Sequence, residues 1–339
     1  AGADPGPACY GHGGTEPTVT DANLVLGRLD AENFLGGSMA LDIKASEKAI
    51  DKLADGLNLN RLEAAEGTLT IINSNMANAI RAKTVQKGID PRGFSLVAFG
   101  GAGPLHGAEV ATMLNIPEVV IPPHPGITSA AGLLTTDLKY DQIKTEFQVK
   151  GSINLDTINS DFNILSKHLL LQFSSDGLTD KDVNQYRYGD LRYVGQGYEL
   201  RVNFPNGLLD QNALEQVWNN FHKLHEQEYG HYFIDSPIEI VNIRLTGIGT
   251  MPKIANPECP QAGSLKSAHI KSSKSVFRYE GTLQQLNTDF YLRAKLPLDT
   301  IFNGPAIVIQ QDTTTVVPPG WSAKLDNGAN LILTDIMKE

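Results

Sequence analysis

Through residues 60–87 apolar side chains recur at alternating steps of three and four: Leu62, Ala65, Leu69, Ile72, Met76 and Ala79, with Lys83 closing the series. That spacing lays one side of a helix against a core, and Gly88 supplies the stop. Two stretches ahead of it read the same way. "TVTDANLVLGRLD" (18–30) predicts a short helix capped by Thr20 or Asp21, with Leu24, Leu26 and Leu29 turned inward. "SEKAIDKLADGL" (46–57) predicts an amphipathic helix ending near Gly56. From residue 94 the period changes. "FSLVAFGG" reads as a buried strand, "PLHGAEVATML" as a helix and "EVVIPP" as a second strand. This is βαβ spacing, so a parallel pair with a right-handed crossover is expected. "GITSAAGLLTTDLKYD" (126–141) extends the series as another helix.

Beyond about residue 140 the texture shifts to alternation. "IKTEFQVK" predicts a strand, 155–177 a helix, 185–205 a strand pair, 210–230 a helix and "IEIVNIRLTGIGT" a strand. Residues 252–275 are rich in Pro, Ser and Lys and read as a linker or long loop. From "SVFRYEG" to "NLILTD" the tail reads as strands joined by Gly and Pro turns. The expectation is an α/β portion over 1–140, then an α+β region with a β-rich tail over 141–339.

Composition narrows the classes. The 339 residues are 41% hydrophobic and 19% charged, ordinary for a globular chain, and no apolar run is long enough for a bilayer. The net charge of −10 argues against a nucleic-acid partner held through phosphates. The two cysteines, Cys9 and Cys259, stand far apart, as suits a reducing cytoplasm better than a disulfide scaffold. The first residues lack a basic start and an apolar segment, so they do not read as a signal peptide. They begin in a Gly/Pro-rich loop without Met, and a further N-terminal portion of the same polypeptide is expected upstream.

The most informative segment is "LVAFGGAGPLHGAEVA" (96–111), a strand that breaks on glycines and restarts as a helix. A dinucleotide fingerprint would need a third glycine where His106 stands and a carboxylate after the next strand; neither is present. A P-loop would need Gly-Lys-Ser/Thr, also missing. What remains is a Gly-Gly-Ala-Gly turn at a helix start, either a ligand contact or a tight structural turn. Glycines let a ligand approach the backbone, and a helix N-terminus attracts negative charge.

Other polar groups have two readings each. Asp21 and Asn23 cap a helix, or present a carboxylate and an amide to a ligand. His106 packs inside its helix or serves a cleft, and His124 lies beyond a strand end, where open sheets bind ligands. Cys9 with His12 has C-x-x-H spacing without a second ligand pair, and a lone Cys9 would need a base to act as a nucleophile. His222, His225 and Glu226 share one helix face, with His231 just beyond, but the pattern is not HExxH. Gln196 between two glycines reads as a bulge or close crossing and "DTTTVVPPGW" as a strand and turn anchored by Trp321, both assigned to packing or subunit contact.

Several long motifs, "GPACYGHGGTEPTVTDANLVLGRLD", "LVAFGGAGPLHGAEVA", "RYVGQGYEL", "FHKLHEQEYGH", "IEIVNIRL" and "GPAIVIQQDTTTVVPPGW", resemble the hydantoinase A/5-oxoprolinase family over nearly the whole chain. The resemblance implies an actin-like (ASKHA-type) ATPase half-domain followed by the α+β and β-rich region. It implies ATP and Mg²⁺ as cofactors, with Gly100, Gly101, Ala102 and Gly103 beside the adenosine. It places Asp21, Asn23, His106 and Cys9 near the catalytic centre. The implied reaction is opening of a five-membered cyclic amide through phosphorylation of its carbonyl, with a hydantoinase B-type partner subunit. A homodimer is among the expected assemblies. The family's Asp-x-Gly-Gly-Thr strand is only imitated by "GHGGTEP" (11–17), which lacks the acidic residue, so this portion alone is expected to be inactive. Two alternatives stand beside this reading: a ketone carboxylase subunit, and a non-catalytic assembly portion.

Overall fold

The computed structural model describes residues 2–252 and 263–337. The chain divides into two compact units, the first comprising 1–131 and 255–339, the second 132–254. The first unit begins with an irregular loop and three helices, α1 (Val19–Val25), α2 (Ile43–Leu57) and α3 (Arg61–Lys83). The residue capping α1 is Thr18, which accepts from the Asp21 amide while Asp21 caps back, so the expected cap at Thr20 or Asp21 moves outward. Asn60 and Glu63 form the same reciprocal box on α3. Ala22, Leu26, Ile50, Ala54, Ala65 and Leu69 pack these helices together.

Strand β1 (Leu96–Val97), helix α4 (Gly103–Leu114) and strand β2 (Glu118–Ile121) follow, and β1 pairs with β2 in parallel. The expected βαβ unit is therefore present, but its first strand is not buried as expected: Val97 and the flanking Phe94 and Phe99 are exposed. Next, α5 (Thr128–Thr135) is shorter than the helix expected over 126–141, because β3 (Leu138–Val149) already begins in "LKYD". There alternate residues point to opposite faces, and pairing with a neighbouring strand outweighs the helical reading.

In the second unit α6 (Leu155–Ser175) and α7 (Gln211–Tyr229) accompany a four-stranded antiparallel sheet. Its strands are β3, β4 (Val183–Tyr193), β5 (Leu200–Phe204) and β6 (Ile238–Gly249), in the order β3-β6-β4-β5. Phe162, Leu169, Phe173, Trp218, Phe221 and Ile243 form its core. Gly247 and Gly249 are required by contact: a Cβ at either position would run into Phe173 and a neighbouring leucine.

Residues 253–262, including Cys259 and half of the expected linker, lie outside the described residues. The other half is ordered as α8 (Leu265–Ala268) and the start of β7 (His269–Tyr279), not as a loop. Then come β8 (Thr282–Leu292), β9 (Phe302–Asn303), β10 (Ala306–Ile309), β11 (Thr314–Val317), β12 (Trp321–Leu325) and β13 (Leu331–Asp335). They complete two sheets of the first unit, β1-β2-β13-β12-β9 and β11-β10-β8-β7. The tail had been expected beside the α+β region. Its last strand instead lies along β2, from Leu331 opposite Ile121 to Thr334 opposite Glu118. Burial explains this: β2 and β13 turn Val119, Ile121, Leu331 and Leu333, all fully buried, into one core, while their alternate positions are half-buried. Trp321 is anchored in this core, its Nε1 donating to Thr112 Oγ1.

Candidate functional site

The glycine turn is shaped by its neighbours. After β1 the Ala98 amide still donates to Val120, and Gly100 then takes φ +84°, a left-handed conformation suited to glycine. Its N–H donates to Pro125, while Gly101 offers its carbonyl to Thr313 Oγ1 at 2.8 Å. Helix α4 starts at Gly103 with Pro104 in its first turn and Ala102 as cap, and no side chain caps it. Its amide dipoles therefore meet no side-chain acceptor at this end. Gly107 brings α4 onto the strands: a Cβ there would stand 3.0 Å from Ala98 Cβ and 3.2 Å from Val119 Cγ1.

A cavity of about 410 Å³ opens at this helix start. Gly101, Ala102, Leu105 and His106 form one wall, Gln310–Thr314 another, and the α1 region a third through Tyr10, Val19, Thr20, Asn23, Leu29 and Phe34. A larger cavity of about 890 Å³ shares Leu35 and Gln310–Asp312 and includes His124 and Arg293. Burial pushes the Arg293 guanidinium down to about 10 against the opposing pull of Asp312 and Asp326. It donates to Gln310 Oε1 and to the carbonyls of Ile121 and Ala329, which ties three segments together.

The sequence-derived residues separate here. Asn23 and His106 both line the smaller cavity, and so do Gly101 and Ala102; Asp21, Cys9, Gly100 and Gly103 do not. Asn23 donates its Nδ2 to Val19, which leaves Oδ1 buried without a partner. Such an acceptor costs about 1–3 kcal/mol unless something reaches it. His106 Nδ1 lies 2.8 Å from Asn73 Oδ1; Asn73 Nδ2 donates to Glu109 Oε2, and Arg28 donates to Glu109 Oε1. Burial, aided by Arg28 and opposed by Glu109, holds His106 below the ordinary imidazole value.

Asp21 faces the other way. Its Oδ1 accepts from the Cys9 amide and Ser46 Oγ, and its Oδ2 from the amides of Ala8 and Thr18 and from Thr18 Oγ1. Burial opposes its charge, but the bonds from Ser46, Thr18, Cys9 and Ala8 prevail, and the carboxyl stays below its ordinary value. That carboxylate clamps the N-terminal loop to α1 and has no oxygen left for a ligand. Cys9 is 1% exposed, and burial pushes its thiol to about 12, so it is unsuited to act as a nucleophile. His12 is exposed, with Nδ1 near the Ala3 carbonyl, and forms no pair with the buried Cys9.

The helix-face histidines also find internal partners. The Tyr193 hydroxyl accepts from the Phe233 amide and lies 2.8 Å from His222 Nδ1, within hydrogen-bonding distance. His225 donates from Nδ1 to the His231 carbonyl and accepts from Gln196 at Nε2. Among the described residues no group of three or more His, Cys, Asp or Glu side chains could hold a metal ion. Gln196 stands in the turn between β4 and β5, not in a bulge, and pins that turn to α7. Asp312–Thr314, which had been assigned to packing, line the cavity, and Arg28, Asn73 and Glu109 were not singled out at all. Only Glu109 left a trace in sequence, three residues after His106 on one helix.

Two family models together match nearly the whole chain. The hydantoinase/oxoprolinase family model matches residues 1–142, and that of the hydantoinase/oxoprolinase C-terminal domain matches 148–335. The chain is 32% identical to the acetophenone carboxylase gamma subunit of Aromatoleum aromaticum, over 99% of this chain and 47% of that protein. It superposes on the crystal structure of ATP-dependent caprolactamase from Pseudomonas jessenii with a TM-score of 0.73 at 31% identity, covering 99% of this chain and 49% of that one. The nucleotide-free structure of acetone carboxylase shares the fold, with a TM-score of 0.87 at 24% identity over 97% of this chain and 48% of that one. The chain thus spans about half the length of these relatives, and about a quarter of the 5-oxoprolinases it also resembles. No described helix is long and apolar enough to cross a membrane. Both halves of the sequence match one set of proteins, and the chain belongs to the hydantoinase/oxoprolinase family.

Proposed function

We propose that this chain forms the nucleotide-contacting wall of an ATP-dependent enzyme that opens cyclic amides, built on an actin-like arrangement around β1, α4 and β2. One observation carries the reading: a 410 Å³ cavity meets the uncapped start of α4 on one wall and Asn23, whose buried Oδ1 has no partner among the described residues, on another. The glycine turn gives a ligand close access to backbone, and the helix end favours its negative charge. ATP fits these features at Gly100–Gly103, and when bound it would supply the phosphoryl group that activates the amide carbonyl. The chain's own residues position and desolvate the ligand. Val19, Leu29, Phe34 and Leu105 exclude water, and Asn23 and His106 accept hydrogen bonds. Mg²⁺ finds no matching donor set among the described residues, because Asp21 is saturated and Asp312 accepts from Gly126 and Gln310. The subunit names and the partial coverage of the relatives support a multi-subunit enzyme, with a hydantoinase B-type partner as the expected companion.

Gly101→Val tests this. A Cβ at Gly101 meets only the Asp312 carbonyl, at 3.8 Å, so the variant should fold while its side chain enters the cavity. In the full-length protein its affinity for ADP should fall at least about tenfold, the loss of one ordinary contact. Unchanged affinity with unchanged stability would remove the turn from the nucleotide site. The similarity to the acetophenone carboxylase gamma subunit favours a second reading, a ketone carboxylase. ATP turnover stimulated by hydantoin, 5-oxoproline or caprolactam supports the first; turnover only with a ketone plus bicarbonate supports the second.

A further inference from the structure

The buried chain behind the cavity makes a directional statement about His106. Glu109 accepts from Arg28 at one oxygen and from Asn73 Nδ2 at the other, so Asn73 presents its NH₂ to Glu109 and its carbonyl oxygen to His106. His106 Nδ1 must then carry the proton. Among the described residues no group bonds Nε2, the ring's other nitrogen, and the residue lines the cavity. Arg28 is itself fixed, fully buried, with Nε donating to the Val276 carbonyl and its guanidinium over Phe277. From His106 through Asn73 each donor points toward Glu109, which leaves the Nε2 lone pair of His106 outside the series.

We propose that Asn73, held by Glu109 and Arg28, is a positioning residue that fixes His106 as the Nδ1–H tautomer, so that its Nε2 accepts a hydrogen bond from a ligand N–H in the smaller cavity. Asn23 also lines that cavity, and among the described residues no acidic or basic side chain other than Asp312 and His106 does so. A largely apolar cavity into which His106 presents an acceptor favours a compact heterocycle that donates from nitrogen. A nucleobase edge and a cyclic amide share that chemistry. The inference rests on the cavity being a ligand site, as the proposed function requires, but not on which of the two ligands fills it.

The test is ¹⁵N NMR of the histidine rings in the full-length protein, with ADP and caprolactam added separately. Without ligand, His106 should show a protonated Nδ1 and an unprotonated Nε2. The ligand that occupies the cavity should move the Nε2 resonance and leave the Nδ1 signal in place. A shift with ADP identifies a nucleobase, and a shift with caprolactam identifies the cyclic amide. Asn73→Leu should introduce the second tautomer and weaken that ligand about tenfold, whereas in a His106→Phe background it should weaken it no further. The proposal is overturned if Nε2 carries the proton in the unmutated protein, or if neither ligand moves it at millimolar concentration. It is also overturned if Asn73→Leu costs the same affinity with and without His106. Failure of the Gly101→Val test with the tautomer intact would instead count against the nucleotide reading alone.

Discussion

Asp21→Asn separates a structural carboxylate from a catalytic one. The side chain is fully buried and accepts from three backbone amides, those of Ala8, Cys9 and Thr18, and from the hydroxyls of Ser46 and Thr18. An asparagine fits the same space but turns one acceptor into a donor. With its NH₂ at the Oδ1 position, Ser46 can rotate to accept, but the Cys9 amide is orphaned. With its NH₂ at Oδ2, the Ala8 and Thr18 amides are both orphaned. The first orientation is the cheaper. It forfeits one hydrogen bond to a charged group and leaves one buried N–H unpaired, which together cost about 2–4 kcal/mol. For a unit of this size that lowers Tm by roughly 4–16 °C, at 2–4 °C per kcal/mol. Differential scanning calorimetry reads the shift, and ADP affinity measured well below the transition should remain that of the unmutated protein. An unshifted Tm with lost ligand binding would refute the clamp and return Asp21 to the ligand.

Two further outcomes follow from packing and titration. Gly107→Val should destabilise by about 1–3 kcal/mol through overpacking against Ala98 and Val119, while Gly67→Ala, with nothing within 4 Å of the new Cβ, should stabilise by up to about 1 kcal/mol; denaturant titration checks both. Burial holds His222 below the ordinary 6.5, with Lys150 and His225 adding to the effect, and burial likewise holds His106 below it. Both are charged more readily unfolded than folded, so stability is complete above pH 6.5 and declines as the pH falls below it, by at most about 1.4 kcal/mol per unit for each group. Asp21 does not interfere, because its contribution is lost only below its ordinary 3.8. Guanidinium titrations at pH 8.0, 6.5 and 5.5 test this, and equal stability at all three would contradict it.

Local signals told most where local physics decides. The period of 60–87 yields α3, and strand–helix–strand spacing yields the parallel β1–β2 pair, but the buried face of α3 runs through Ala65, Leu69, Asn73 and Ala77 and leaves Leu62 and Ala79 exposed. Pairing between distant segments was not legible. Nothing near Leu331 announces that it lies beside Ile121, more than two hundred residues away, since both simply read as buried strand. The site divides the same way. The glycines and His106 stand out because a turn into a helix has a recognisable grammar. Asn73 and Glu109 do not, because single polar residues on α3 and α4 look like solvated positions until tertiary packing faces them toward His106. Asp21 shows the converse error: a carboxylate near a glycine-rich loop suggests chemistry, yet the loop's own amides consume it.

The central claim is that nucleotide meets this chain at the glycine turn. Backbone amide shifts of Gly100–His106 in the full-length protein, followed during titration with ADP, test it most directly. Saturable shifts at Gly101, Ala102 and His106, abolished by Gly101→Val, are the expected result. Shifts confined to other segments, or none at millimolar ADP, would contradict it and leave the chain an assembly portion.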